Sequence, residues 1–214
     1  MTPQTLQRIR LGFAMAAAAL LPDLPFVVPE AFASAPASAA PAVPAPAPRR
    51  VRPPALAGSW YPAEAAKVAV EARRMLRAGA SAPALNDRPV ALIVPHAGWR
   101  FSGSAAAAAF RLLHPGDFNR VVLVAPSHTG AFQGFALDSS AAYRTPLGEI
   151  PLCAQAISEL GNKTSIRDIP GVADQEHSVE IELPFLQQTL GETFCLIPIL
   201  AGQTDASQEH ALAE

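Results

Sequence analysis

The stretch VVLVAPSHTG, residues 121–130, decides the fold, because a short apolar run rich in β-branched residues ends there in proline and histidine. The stretch VALIVPHAG, residues 90–98, repeats this arrangement. Continuous apolar runs of this length are typical of buried strands in a parallel sheet. Ligands of open α/β sheets bind beyond the carboxyl ends of the strands, so we expect His96 and His128 to converge on one point.

The two histidines suit either a functional site or a purely structural role, and the residues alone leave both interpretations open. Imidazole is the commonest protein metal ligand and the usual acid–base group near neutral pH. A histidine beside a strand also serves as a cap or as a hydrogen-bonding group of the core. In both stretches proline precedes the histidine and glycine follows two positions later, which favours a shared site for His96 and His128.

Apolar strands and helix-like segments alternate after residue 54. This order predicts an α/β domain of three layers with a largely parallel or mixed central sheet. Pro184, inside the last long helix, is expected to kink that helix or to shift its register. The predicted helices are 63–78, 102–113, 152–160 and 176–190, and the predicted strands are 90–94, 121–125, 135–137 and 194–200.

Residues 1–33 have the features of an export signal. Arg8 and Arg10 precede the apolar, alanine-rich stretch Leu11–Leu21, which is too short to form an ordinary membrane-spanning helix. Small residues around Ala33 suit a cleavage site. We therefore expect an exported, periplasmic protein. An uncleaved N-terminal membrane anchor and a cytosolic protein with a disordered head are the alternatives.

Residues 34–54 are almost wholly alanine and proline and are predicted to form a semi-rigid linker. The basic residues at 49–52 are interpreted as the solvated end of this linker. The domain is therefore placed at 55–214, a length typical of a single domain. A helix-like segment starts at Ala206 and the sequence stops at Glu214, which indicates the N-terminal part of a longer domain.

The net charge and the two cysteines indicate which partners and which metal sites are not expected. The net charge is −2, and no basic stripe is interleaved with aromatic residues, so no nucleic-acid partner is expected. Cys153 and Cys195 lack the spacing of a zinc finger. Cys195 lies in the apolar run 194–200, which favours a buried, unpaired side chain. A disulfide between the two cysteines is the alternative in an oxidising compartment.

The stretch DQEHSVEIE, residues 174–182, contains further side chains that can act as acid–base groups or metal ligands. On a helix, His177 and Glu180 share a face, and a carboxylate one turn from an imidazole tunes a base or supports a metal ligand. Glu176 is a candidate pocket residue beside them. The alternative is an ordinary helix start, with Asp174 as the cap and acidic residues favoured in the first turn.

Five segments, in this order, resemble the Memo family, whose bacterial and archaeal members are often called AmmeMemoRadiSam system protein B. The resemblance covers the chain from Ala55 to Gly202, and the combination of segments is specific. The segments are AGSWYP (57–62), PHAGWRFSG (95–103), APSH (125–128), TPLG (145–148) and EHSVEIELPFLQ (176–187).

The resemblance implies an α/β fold similar to that of class III extradiol dioxygenases, which hold a non-haem iron with two histidines and a carboxylate. His96 and His128 would be metal ligands for iron, copper or zinc, and His177 would be the catalytic pocket residue. Trp60 and Tyr61 would line the entrance, although the residues alone also allow them to cover the edge of the core.

The chain departs from the family pattern in three ways. Thr129 stands where many members have a second histidine, and Cys153 stands where aspartate is common. Members continue past Glu214 to a cysteine ligand, so the third ligand is missing and weak metal affinity is expected. The expected function is a metal-dependent oxidoreductase that uses O₂ or a small phenolic substrate. The alternatives are a non-catalytic module that binds a peptide or small molecule, and an inactive truncated fragment.

Overall fold

The computed structural model describes residues 50–78, 87–164 and 166–214, so the predicted signal peptide and most of the predicted linker lie outside it. Within these ranges the chain forms strands, α-helices and one π-helical turn, and none of its helices is both long and apolar enough to cross a bilayer. The strands are β1 (Val51–Arg52), β2 (Arg120–Pro126), β3 (Phe135–Leu137), β4 (Ala142–Thr145), β5 (Gly148–Pro151), β6 (Arg167–Asp168) and β7 (Cys195–Ala201). The α-helices are α1 (Ala65–Ala78), α2 (Ser104–Phe110), α3 (Ala154–Lys163), α4 (His177–Glu180), α5 (Leu183–Leu190) and α6 (Ala206–Ala213), and the π-helical turn is Trp99–Gly103.

The strands form two mixed sheets. The larger sheet has the order β2-β7-β3-β6, in which β7 runs parallel to β2 and antiparallel to β3, and β6 runs parallel to β3. The pairing of β2 with β7 extends from Arg120 opposite Cys195 to Pro126 opposite Ala201. The smaller sheet has the order β1-β4-β5, with β1 parallel and β5 antiparallel to β4. The predicted three-layer α/β fold with a mixed sheet is confirmed.

Helices α1, α2 and α5 pack against one another. Helix α1 buries Val68, Ala72 and Met75, which recur every three or four residues and therefore lie on one face. The π-helical turn approaches this face closely. A Cβ atom on Gly103 would lie 2.7 Å from Met75 Sδ, so a larger residue there would displace the Met75 side chain.

The predicted strand at 90–94 is wrong. These residues form no hydrogen bond to β2 within the described ranges, and Val90 and Ile93 are almost fully exposed. Leu92 and Val94 pack only partly against the core. An apolar pattern identifies residues that suit burial in a sheet, but a strand also needs a hydrogen-bonded neighbour. This segment has none among the residues that the structure describes.

The predicted long helix at 176–190 is divided in two. Helix α4 ends at Glu180 and α5 begins at Leu183, with Pro184 in the first turn of α5. Proline has no N–H to donate, but the first turn of a helix leaves its N–H groups unpaired in any case. The predicted effect of Pro184 is confirmed, and the break separates the four residues of α4 from the rest of the helix.

The fold extends to the N-terminal side of the predicted boundary at Ala55. Strand β1 pairs in parallel with β4, and Arg52 is only 1 % exposed. The interpretation of Arg52 as part of a solvated linker end is therefore wrong. Arg52 is buried because oxygen atoms of the segment 173–180 surround its guanidinium group and replace water as hydrogen-bond acceptors.

Cys153 and Cys195 form a disulfide, so the expectation of unpaired cysteines is wrong. Leu152 forms a β-bridge with Leu196, and the backbone N–H of Cys153 donates to the Leu196 carbonyl. These contacts bring the start of α3 against the start of β7. The two cysteine Cα atoms are 5.1 Å apart, within the usual range for a disulfide.

Replacing both cysteines by serine is expected to lower the free energy of unfolding by about 2–4 kcal/mol, because the cross-link restricts the unfolded chain. The disulfide joins residues 42 positions apart. Denaturant unfolding of the oxidised chain and of the Cys153→Ser/Cys195→Ser variant measures the difference. A reducing agent should destabilise the former and leave the latter unchanged. Equal stability of the two proteins under oxidising conditions would contradict the prediction.

Candidate metal centre

Three imidazole rings meet beyond the carboxyl end of β2. The ring centroids of His128 and His177 are 4.3 Å apart, and that of His96 lies 5.4 Å from the first and 5.9 Å from the second. One ring nitrogen from each histidine lies within 4.8 Å of the other two. The structure thus brings together the two predicted ligands and adds His177, the predicted catalytic pocket residue, as a third nitrogen donor.

Three separate parts of the chain deliver these rings. His128 follows β2 by two residues, and His177 is the first residue of α4. His96 precedes a turn that Trp99 fixes in place. The backbone N–H of Trp99 donates to the Trp60 carbonyl, and its indole N–H donates to the carbonyl that follows α4. The position of each ring is therefore set by tertiary contacts between segments that are distant in sequence.

The carboxylate of Glu176, which is 1 % exposed, joins two of these segments. Its Oε2 accepts from the backbone N–H of His128 at 2.6 Å and of Thr129 at 3.2 Å. Its Oε1 accepts from the backbone N–H of His177 at 2.9 Å and of Ser178 at 3.1 Å. Glu176 therefore caps α4 and at the same time holds the turn that follows β2.

The same carboxylate faces the Nδ1 atoms of two histidines. Glu176 Oε1 lies 3.2 Å from His128 Nδ1 and 3.3 Å from His177 Nδ1. An ionised carboxylate can only accept, so the hydrogen bond with His128 requires the hydrogen on Nδ1 and leaves the lone pair on Nε2. Asp174, expected as the helix cap, instead pairs with the guanidinium group of Arg50, because Glu176 occupies the capping position.

The ionisation of these groups follows from their surroundings. Burial would raise the pKa of Glu176, but hydrogen bonds from His128 and Ser178 outweigh it and lower that pKa to about 2. Burial lowers the pKa of His96, and the neighbouring His128 lowers it further. Burial also lowers the pKa of His177 against the opposing charge of Glu176. A permanent carboxylate thus lies beside His177, and the lowered pKa values of His96 and His177 favour the neutral form, which is the form that binds metals.

The two aromatic residues predicted to line the entrance lie in different surroundings. Trp60 is partly exposed, and its ring centroid is 4.4 Å from that of His177, so it forms a wall of the site. Tyr61 is buried, and its hydroxyl donates to Glu180 Oε1 at 2.9 Å. Burial and the charge of Glu180 raise the pKa of Tyr61, so the hydroxyl stays protonated. The prediction for Tyr61 is corrected, because this buried bond places it in the core.

Glu180 is the second buried carboxylate of this region. It accepts from Arg52 Nη1 at 2.9 Å and from the backbone N–H groups of Ala55 and Leu56 at 2.8 and 2.9 Å. Arg52 also donates to two carbonyls of the segment 173–176. This role of Arg52 is not predictable from its proline-rich surroundings, which are typical of a linker.

The comparisons with known proteins agree with this geometry. The family described as Memo-like protein matches residues 52–214. A MEMO1 family protein of Methanopyrus kandleri is 34 % identical over 175 residues, which cover 76 % of this chain and 60 % of the relative. The memo-1 homolog of Caenorhabditis elegans is 34 % identical over 158 residues, covering 72 % and 44 %. Protein MEMO1 of Xenopus tropicalis is 31 % identical over 159 residues, covering 72 % and 52 %.

The chain spans between 44 and 60 % of the length of these curated relatives. The family match covers all of the described residues except Arg50 and Val51, and it includes the three histidines, Glu176 and Glu180. The resemblance expected from the five sequence segments is confirmed. The chain belongs to the Memo family.

Proposed function

We propose that His96, His128 and His177 bind one transition-metal ion and leave a coordination position open to a small molecule. The observation that carries this proposal is the convergence of three ring nitrogens within 4.8 Å of one another. Nitrogens about 2.1 Å from one tetrahedral ion are roughly 3.4 Å apart, so modest side-chain shifts suffice to close the site. Three protein ligands and an open position are typical of catalytic metal sites.

The donor set fits such an ion. Imidazole nitrogen suits iron, copper and zinc. Glu176 orients the His128 ring through Nδ1, which leaves Nε2 available as a ligand, and its backbone contacts fix the segment that carries His177. The negative charge of Glu176 also offsets part of the charge of a cation. A cysteine ligand is not required in a centre of three histidines.

We further propose that this centre belongs to a metal-dependent oxidoreductase that acts with O₂ on a small phenolic substrate. A bound ion would polarise a coordinated oxygen atom and, if redox-active, carry electrons. The partly exposed Trp60 ring offers an aromatic substrate a face to stack on, next to His177. Glu176 keeps the ring of His128 in one tautomer and orientation while the substrate binds.

Metal titration followed by oxygen uptake tests both proposals. The full chain is stripped with a chelator and titrated by calorimetry with Fe²⁺, Cu²⁺ and Zn²⁺, and one equivalent is expected to bind. Each loaded protein is then given catechol in an oxygen electrode, with stripped protein and free metal as controls. No saturable binding of any of the three ions would overturn the metal centre. Stoichiometric binding without oxygen uptake would favour the non-catalytic binding module.

We also propose that the chain is exported to the periplasm. The signal-like composition of residues 1–33 and the Cys153–Cys195 disulfide support this independently, because disulfides persist in oxidising compartments. Mass spectrometry of the chain from fractionated bacterial cells is expected to show a mature N-terminus near Ala33. An intact Met1 in the cytosolic fraction would contradict export, and an intact Met1 in the membrane fraction would indicate an uncleaved anchor.

A further inference from the structure

A groove of about 740 Å³ is lined by residues 89–94 on one side and by the whole of β2 on the other. Its walls are largely apolar, and it reaches His96 and Ser178 beside the metal centre. Val122 and Val124 of β2 are 58 % and 52 % exposed. Two stretches whose sequences suit burial in a sheet therefore line one groove, and no hydrogen bond joins them in the described part of the chain.

The backbone of β2 decides what can occupy this groove. The edge of β2 away from β7 has no hydrogen-bonded strand among the described residues. A strand presents alternate N–H and C=O groups along such an edge. An aliphatic ligand would bury these groups without satisfying them, whereas a neighbouring strand at roughly 4.8 Å would pair with them. The chemistry of the edge therefore selects an extended polypeptide.

Glu182 adds a polar contact for the occupant. It is 3 % exposed, it lines the groove, and its Oε2 has no hydrogen-bond partner within the described ranges. Burial raises the pKa of Glu182 to about 8, so the carboxyl group is largely protonated at neutral pH and can donate to a carbonyl. Buried polar atoms in native proteins are nearly always paired, so the occupant is expected to supply the partner.

We propose that the groove accepts one β-strand and that insertion of this strand fixes His96 in the metal centre. The strand is supplied by polypeptide that corresponds to the part of the relatives which these 214 residues do not span. The chain spans 60, 44 and 52 % of the three relatives described above, so each of them has additional polypeptide. One wall of the groove leads into His96, and the strand of the other wall leads into His128. The separation of these two ligands therefore depends on how the walls are joined.

The coupling to metal rests on the proposed metal centre, whereas strand binding does not. If the strand tightens metal binding by some factor, metal must tighten strand binding by the same factor. We expect that factor to be about tenfold, within the usual range for coupled sites. Both directions of the coupling can be measured on the same protein.

Overlapping twelve-residue peptides supply the probe, and together they span the part of the Methanopyrus kandleri relative outside its match to this chain. Fluorescence anisotropy with the metal-free full chain is expected to find one contiguous window that binds. Val122→Arg should weaken that binding at least about tenfold, because it places a charge in the groove. Val70→Arg is the matched control, since Val70 is 59 % exposed on α1, outside the groove, and should bind like the wild type.

Two further measurements separate the outcomes. The binding peptide with N-methyl groups on alternate amides should not bind, because it has lost its main-chain donors. The bound peptide should lower the Kd for Zn²⁺ about tenfold. No binding window, or equal binding by the two valine variants, would overturn the acceptor site even if metal binds. Binding of laurate without any peptide would overturn it in favour of a small-molecule pocket.

The Zn²⁺ titrations test the coupling between strand binding and metal binding. An unchanged Kd for Zn²⁺ in the presence of bound peptide would overturn the coupling and leave the strand site intact. If Zn²⁺ binds in no state of the protein, the metal centre and the coupling both fail. The peptide result on the metal-free chain would still decide the identity of the groove.

Discussion

Alanine in place of His128 or His177 is expected to lower metal affinity by more than about 100-fold, because each change removes a ligand. Glu176→Gln should cost less, roughly 10–100-fold, the usual effect of losing an outer hydrogen-bonding partner. The amide of this variant keeps one acceptor oxygen but cannot hold the His128 Nδ1–H group and four backbone N–H groups together. Calorimetric titration with Zn²⁺ measures the ranking.

His114→Ala is the control for these variants. The His114 side chain is 75 % exposed and lies outside the histidine cluster, so its loss should leave metal affinity unchanged. Denaturant unfolding of each variant shows whether the fold is retained. If Glu176→Gln weakens binding and His128→Ala does not, the three-histidine centre is wrong.

Replacing Arg52 by methionine is expected to lower the free energy of unfolding by about 3–5 kcal/mol, because it leaves a buried carboxylate without its counter-ion. The side chains of Arg52 and Glu180 are 0 % exposed and lie 2.9 Å apart. Arg52→Lys should not restore stability, because one ammonium group cannot reproduce donation in three directions from a planar guanidinium. Equilibrium unfolding in urea measures both variants.

Two comparisons isolate the buried charge. Arg52→Met/Glu180→Gln should recover part of the lost stability, because it removes both charges and keeps an acceptor for the neighbouring N–H groups. Arg74→Met breaks a pair with Glu71 in which the side chains are 58 % and 39 % exposed, and it should change stability far less than Arg52→Met. A loss from Arg52→Met as small as that from Arg74→Met would contradict the prediction.

The class of fold and the position of His128 after β2 could be predicted from local patterns in the sequence, whereas His96 meets His128 although residues 90–94 form no strand. Apolar runs separated by helix-like segments indicate an α/β domain, and residues after strands of such a sheet gather at one end. Pro184 was predictable for the same reason, since the effect of proline on a helix is local. His177 was recognised by its neighbouring carboxylates, although its position beside His96 and His128 needed the tertiary structure.

The remaining features depend on contacts that no local pattern records. The run at 90–94 has the composition of a strand, but it could form one only by hydrogen bonding to a neighbouring strand such as β2. The composition of the run does not show whether that neighbour is within reach. Cys153 and Cys195 form a disulfide because the start of α3 lies against the start of β7 in the folded chain. Arg52 stands in a stretch with the composition of a linker, and only the acceptors around it show why it is buried.

The contact between Arg52 and Glu180 also constrains when the domain can assemble. The two residues are 128 positions apart, so at roughly 5–20 residues per second the ribosome needs about 6–26 s to synthesise the interval. Glu180, the counter-ion of Arg52, is synthesised only after that interval, because it lies in the helix that begins with His177. Burial of the first strand and arrival of His177 beside His128 are therefore one late event, and a nascent chain is expected to lack the proposed metal centre before it.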